Sequence, residues 1–357
     1  MSKTKYKRLG DYIREVNVRN RELKATKPMG INIDKYFMPS VANVIGTDLS
    51  VYKLVSKMQY ACNLMHVGRD EKIPMAMHLA DTPIIVSPAY FVFEVVEPDV
   101  LLPEYLMMWF RRPEFDRNAW FYTDADVRGG MSKEALLDML LPIPSLIRQR
   151  EIVSEYETLT NRICLNNQMI QNLEATAQAL YRKTFVDNID KENLPEGWRM
   201  GTVEELAEIK NGKSHTPTFG EIPIYGGNGI VGYTNEYNAQ NVVIIGRVGI
   251  NCGSLYLNQN NCYVNDNAMM AIPRDGNVIF LYMTLMRMGL NNQSEGSGQP
   301  LLTQAIIYKQ ECVIPKQELR TEFENKEQII ISHKFLLEKE NIKLTELQSL
   351  LLAKMGQ

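Results

Sequence analysis

The chain has little cysteine and no arrangement of it that does chemistry. Cys62, Cys164, Cys252, Cys262 and Cys312 are scattered over 357 residues without a Cys-x-x-Cys pair. An odd, dispersed set fits reduced thiols in a reducing cytosol rather than a disulfide framework. Structural zinc needs clustered ligands, so it is not expected. The histidines are as sparse: His66, His78, His215 and His333 show no metal or triad spacing. No run approaches the ~20 apolar residues of a membrane span. The first ten residues are polar and basic with no apolar run after them, so no signal peptide is expected. A soluble, cytoplasmic protein follows. Basic excess is missing too, since the formal net charge is −3. That argues mildly against a simple DNA-binding protein, but not against a DNA reader that shares phosphate contacts with a partner.

What the sequence has instead is a repeat, the feature that sets architecture before any other. Pro144, Leu173, Leu180 and Lys183 recur 171 positions later as Pro315, Leu344, Leu351 and Lys354. The size and ordinary composition allow two cored domains plus helices. The expected order is a module over residues 1–143, a long helix over 144–187, a second module over 188–314 and a second long helix over 315–357. The first helix carries a heptad with Ile152, Leu159, Asn166, Leu173 and Leu180 at a, and Tyr156, Ile163, Ile170 and Ala177 at d. The second has Phe323, Ile330, Leu337, Leu344 and Leu351 at a, but Glu327, Lys334, Asn341 and Gln348 at d. Its apolar stripe is therefore expected to drift toward Ile329, Leu336 and Leu350. Asn166 either fixes register against a partner helix or lies near a fraying edge. The helices most simply pack on each other as an antiparallel coiled coil, a ruler for two readers.

The modules read as mixed α and β, so the fold class is α/β of the α+β kind with a pseudo-twofold repeat. Pro83-Ile84-Ile85-Val86 and Tyr90-Phe91-Val92-Phe93 read as strands. Pro103 opens a short helix, Ser132 starts another, and Arg128-Gly129-Gly130 is a turn. The second module has short strands at Val242–Ile245, Ser254–Leu257 and Met269–Ile272. Leu9-Gly10-Asp11-Tyr12-Ile13 corresponds to Leu206-Ala207-Glu208-Ile209. Val67-Gly68-Arg69 corresponds to Val248-Gly249-Ile250, and the Arg128–Ser132 turn to Gly296–Pro300.

Four motifs carry a resemblance: Leu194-Pro195-Glu196-Gly197-Trp198; Ile222-Pro223-Ile224-Tyr225-Gly226-Gly227-Asn228-Gly229; Ile245-Gly246-Arg247-Val248-Gly249 followed by Asn265-Asp266-Asn267-Ala268; and Leu141-Pro142-Ile143-Pro144 leading into Gln149 and Ile152. Together they resemble the specificity subunit of type I restriction–modification systems, over essentially the whole chain. Arg320 departs from the pattern, standing where Gln149 stands in the first copy. The resemblance implies two target recognition domains, each reading half of a bipartite site in double-stranded DNA. It implies helices that act as spacer and as dock for two modification (methyltransferase) subunits, which use S-adenosylmethionine to methylate adenine. A restriction (translocase/nuclease) subunit, using ATP and Mg, would complete the nuclease. No cofactor or metal is expected on this chain.

The residues themselves point away from catalysis. Gly227-Asn228-Gly229-Ile230-Val231-Gly232 matches a dinucleotide fingerprint, but the residues after it read as turn and strand where that site needs a helix. An adenine methylase would show an Asn/Asp-Pro-Pro-aromatic motif, and no Pro-Pro pair exists. Glu208-Ile209-Lys210 matches the tail of a nuclease motif without an upstream Asp, and reads as helix surface. Base reading favours Arg on guanine, Asn or Gln on adenine, and apolar groups on thymine methyls. Candidate DNA contacts are Lys213, Ser214, Tyr225, Asn228, Tyr233, Arg247, Asn251 and Gln299 in the second module. In the first they are Arg69, Arg128 and Lys133, with Arg19 and Arg21 on phosphate. Arg247 stands out because Gly246 and Gly249 would let its backbone approach DNA closely; a surface salt bridge is the alternative. The competing functions are a catalytic restriction–modification enzyme and a coiled-coil scaffold that binds protein only.

Overall fold

The computed structural model describes residues 6–40, 46–65, 67–123, 129–293 and 300–355. The chain divides into two compact units, one of residues 1–165 with 340–357 and one of 166–339. Each holds one module and a stretch of both long helices. The fold is α+β, and both modules are built to one plan.

In the first unit a four-stranded sheet runs in the order Ile13–Glu15, Phe91–Val95, Tyr60–Cys62, Met75–Met77. In the second the same order appears as Ala207–Asn211, Ala268–Pro273, Val242–Gly246, Leu255–Asn258. Beside each lies a smaller sheet in which a hairpin meets a third strand in parallel. The hairpin Pro28–Ile31 and Phe37–Pro39 takes Ile84–Val86, and the hairpin Ile222–Gly226 and Gly229–Thr234 takes Tyr263–Val264. A two-stranded ribbon closes each module just before its long helix: Tyr6–Arg8 on Leu140–Pro142, and Arg199–Thr202 on Glu311–Ile314.

Apolar strands read from sequence are buried as expected. Phe91 and Phe93 lie in the first core, where Tyr60 stacks on Phe93 at 4.8 Å and Phe110 meets both rings edge-on, while Val92, on the other face, packs with Val55, Ala61 and Val86. Val243, Ile245, Met269 and Ala271 lie in the second core. Pro103 opens helix Pro103–Phe110, and the Ser132 hydroxyl accepts from the Ala135 N–H to start Lys133–Asp138. Thr303 caps the equivalent helix Gln304–Tyr308 in the second unit. Glu208-Ile209-Lys210 is a correction: these residues lie in strand Ala207–Asn211, not on a helix. Glu208 and Lys210 share the outer face of the strand and pair at 2.9 Å, while Ile209 enters the core. Alternation of period two, hidden in so short a run, decided this.

The long helices run Leu146–Phe185 and Gln317–Lys354. Within the first unit they pair antiparallel, with Thr160 bonded to Gln348 at 2.7 Å and Arg162 bidentate on Glu340 at 3.0 and 3.1 Å. Within the second they do so again, through Glu174 and Lys334 at 2.6 Å and Tyr181 edge-on to Phe323 at 5.7 Å. Ile152, Asn166, Ala177, Phe323 and Leu337 are buried, and Leu159, Leu173, Ile330, Leu344 and Leu351 half-buried. The burial of Asn166 excludes a fraying edge. Leu180 is a correction: it is 40% exposed, and Tyr181 takes the buried position. From Ala177 the stripe advances by four to Tyr181 and by four again to Phe185, which breaks the strict heptad. Ile329, Leu336 and Leu350 are also corrections. They face outward, and the polar d row lines the inside, with Glu327 fully buried and Lys334, Asn341 and Gln348 half-buried. Lys334 is held across the pair by Glu174 and Gln348 by Thr160, so polarity alone misassigned the face.

The start of each long helix fastens the lead into a short helix of its own module. Gln149 is fully buried. Its Oε1 accepts from the Leu102 N–H, and its Nε2 donates to the carbonyls of Val100 and Pro144. Arg320, its counterpart, pairs with Asp275 at 2.5 Å. Glu324, one turn on, accepts from the N–H groups of Ile279 and Phe280 at the start of Val278–Arg287. Burial pushes the Glu324 carboxyl up from its ordinary value, against the pull of those N–H bonds.

Candidate nucleic-acid interface

In the second unit, four segments meet at one end of the larger sheet. They are the hairpin turn Gly227-Asn228, the loop Arg247–Ser254, the turn Asn265–Asn267 and the segment Pro300–Leu302. Backbone geometry pins them. The Ser254 hydroxyl donates to the Gly227 carbonyl at 2.7 Å, and the Arg247 N–H to the Asn267 carbonyl at 3.0 Å. The N–H groups of Leu302 and Gly249 donate to the carbonyls of Arg247 and Pro300. The Asn265 side chain accepts from the Asn267 N–H, so the Asn265-Asp266-Asn267 motif is a turn that carries the neighbouring loops.

The two glycines beside Arg247 do different work. A Cβ at Gly246 would stand 2.4 Å from both the Asn251 carbonyl and the Ser254 hydroxyl, so this glycine lets the loop fold back on the strand. That corrects the reading that it admits DNA. Gly249 has φ +75° with open space around it, the left-handed turn that glycine tolerates best.

Of the sequence candidates, the structure brings Asn228, Arg247 and Asn251 to this cluster. Asn228 is exposed, and Arg247 and Asn251 are half-exposed. Among the described residues no ion-pair partner of the Arg247 guanidinium occurs. Lys213 and Ser214 are exposed on the strand-to-loop passage beside it, where the Lys213 N–H donates to the Val264 carbonyl. Tyr233 is 47% exposed on the outer hairpin strand. Tyr225 goes elsewhere. It lines a cavity of about 470 Å³ with Tyr256, Tyr282, Lys334 and Glu338, and burial pushes its hydroxyl up to about 12. Gln299 lies outside the described residues.

The first unit repeats the arrangement in backbone. The Met131 N–H donates to the Leu64 carbonyl, as Leu302 does to Arg247. The loop between strands Tyr60–Cys62 and Met75–Met77 contains Arg69, in the short helix Val67–Asp70. The Arg69 side chain and Arg128 lie outside the described residues. Lys133 is engaged by the Glu15 carboxylate and lies over the Phe91 ring. Arg19 donates to the Val51 carbonyl at 2.6 Å, and Arg21 is exposed. Much of the basic N-terminal charge is held internally. Arg8 pairs with Asp138, Arg14 with Glu94, and Lys35 is buried on Asp116 at 2.7 Å. The sequence reading missed Asn265, Asn267 and Ser254 as braces that hold the Arg247 loop and the Gly227 turn in place. The Asn265–Asn267 motif was visible, but its role as a brace needed the fold.

No cluster of metal-ligating side chains occurs among the described residues. Burial pushes the Cys262 and Cys312 thiols up to about 11, far from a reactive thiolate. No helix of the described residues is long and apolar enough to cross a membrane.

Residues 195–349 match the model of the type I restriction modification DNA specificity domain. The match covers the second module and most of the helix after it. The specificity subunit of the type I restriction enzyme HindI from Haemophilus influenzae is 34% identical over 101 residues. That match spans 27% of this chain and 22% of the relative. In three dimensions the likeness is wider. The S subunit of a type I restriction-modification system from M. genitalium superposes with a TM-score of 0.65 at 15% identity, covering 100% of this chain and 97% of that one. At that identity it is the fold that is shared. The pinned loop cluster lies inside the matched specificity domain, and the first unit repeats its plan.

Proposed function

We propose that the chain is the non-catalytic DNA sequence-recognition subunit of a type I restriction–modification complex. Each module reads one half of a bipartite duplex site. One observation carries this reading: both units set the same inter-strand loop at the same place on the same sheet order, and fill it with different side chains. A shared frame with divergent tips is what two readers of different half-sites require. Arg247, Asn228 and Asn251 are donors and acceptors suited to base edges, and Lys213 and Arg21 are suited to phosphate.

The partners follow from the same reading. Ile329 and Leu336 are exposed at a heptad spacing in the second unit, and Leu350 continues that row in the first. Such rows suit docking of helices from two modification subunits. Those subunits would bind S-adenosylmethionine and methylate adenine. Restriction subunits would supply ATP- and Mg-dependent cleavage, in the cytoplasm where the DNA is. Mapping adenine methylation in cells with and without this gene tests the proposal. A methylated bipartite motif that disappears on deletion and returns on complementation supports it. A methylome unchanged by deletion, in cells with active modification subunits, overturns it.

A further inference from the structure

Ile250 is 97% exposed at the tip of the turn Gly249–Asn251, between Arg247 and the strand Leu255–Asn258. An isolated exposed apolar residue needs no explanation in general. This one differs in its setting. The turn is rigid: the Gly249 N–H is held by Pro300, the Cys252 N–H by Gly249 and the Ser254 N–H by Asn251. Gly249, at φ +75°, takes the left-handed turn that leaves the Ile250 side chain pointing away from the core. Its neighbours on the loop, Arg247 and Asn251, carry hydrogen-bonding groups. The corresponding loop of the first module holds Arg69 within Val67-Gly68-Arg69. The two modules therefore place an isoleucine and an arginine in the same inter-strand loop.

Resting on the DNA-reading role above, we propose that Ile250 is a specificity-determining residue that packs on the 5-methyl group of a thymine in the half-site read by the second module. In the major groove each base pair shows hydrogen-bonding groups, and the thymine methyl is the one apolar feature among them. An apolar side chain held rigidly among polar readers matches that feature. It has nothing to offer guanine or cytosine edges, and no charge for phosphate.

The test uses the full chain assembled with its modification subunits, and duplexes in which each thymine of the half-site is replaced in turn by uracil. Uracil pairs as thymine does but lacks the methyl. At one position, uracil is expected to weaken binding of the unaltered complex about fourfold, the value of one buried methyl-sized group. Ile250→Ala should weaken binding to the thymine duplex by a similar factor and be indifferent to uracil at that position. Equal uracil effects in both complexes at every position would overturn the proposal, as would a half-site without an A·T pair. So would a 2-aminopurine signal of unstacking that Ile250→Ala abolishes, which would make the residue a wedge between bases. A circular dichroism melt unchanged by Ile250→Ala separates these outcomes from misfolding. Absence of any sequence-specific binding by the assembled complex would instead strike at the recognition role itself.

Discussion

Arg247 and Glu327 show how differently one side chain can matter. The Arg247 backbone is fixed on both sides, by Asn267 and by Leu302, while its guanidinium has no ion pair among the described residues. If it reads a base, Arg247→Ala should weaken specific binding by roughly 1–3 kcal/mol and relax one position of one half-site. Competition binding with single-base variants measures this, and a uniform loss across all sequences would make it a phosphate contact. Glu327 is the opposite case. It is fully buried in the helix pair with neither carboxylate oxygen bonded among the described residues. Burial first, and the like charge of Glu324 second, push its carboxyl up to about 7. A raised value means that the folded chain holds the proton more tightly than the unfolded chain does. The resulting stability is complete below the ordinary carboxylate value of 4.5 and is lost as pH rises through 7. Glu327→Gln should therefore leave the melting temperature unchanged near pH 4.5 and raise it by a few degrees at pH 8. Thermal melts of both proteins at the two pH values decide this, and an equal shift at both would refute the titration.

At the scale of elements, the two long helices begin with different chemistry doing one job. Gln149 bonds the loop before Pro103–Phe110, while Arg320 and Glu324 hold the start of Val278–Arg287. Converting the second latch toward the first, with Arg320→Gln, would leave Asp275 mostly buried and without its cation. Because both partners keep some hydration, the cost should fall below the ~3–5 kcal/mol of a fully buried broken pair, at roughly 1–3 kcal/mol. Urea unfolding followed in the second unit checks the value, and no change in midpoint would show that Asp275 is solvated after all. These latches also mark what the sequence could and could not reveal. The repeat of 171 and the helices after Pro144 and Pro315 were legible, because long apolar periodicity and proline act locally. Strands such as Phe91–Val95 were legible for the same reason. The outer face of the second helix was not, because Glu327, Lys334 and Gln348 are buried by partners far away in sequence. Tyr181 replaced Leu180 because about 20° of drift per heptad accumulates into a change of face. Asn228, Arg247 and Asn251 could be named from residue type, but which of the polar residues converge depended on loop closure. That closure sent Tyr225 to a cavity and tied Lys133 to Glu15.

For the whole molecule, the decisive feature is that each long helix starts in one unit and ends in the other. If the two modules each read a half-site, the unspecified gap between half-sites should depend on helix length and not on the reader loops. Inserting four residues into both helices, near Asn166 and near Leu337, lengthens each by ~6 Å. One base pair spans ~3.4 Å along the duplex. The gap should then widen by one or two base pairs while both half-sites keep their sequences. Four residues exceed one helical turn by little, so the seams stay nearly in phase and the pairing of buried faces survives. Inserting into one helix alone would shift that pairing, set Arg162 away from Glu340 or Glu174 away from Lys334, and should reduce activity rather than change the gap. Methylome mapping of the double-insertion variant, with modification subunits present, gives the answer. A changed half-site would mean that the insertion disturbed a reader. An unchanged gap in an active complex would mean that something other than these helices measures the distance.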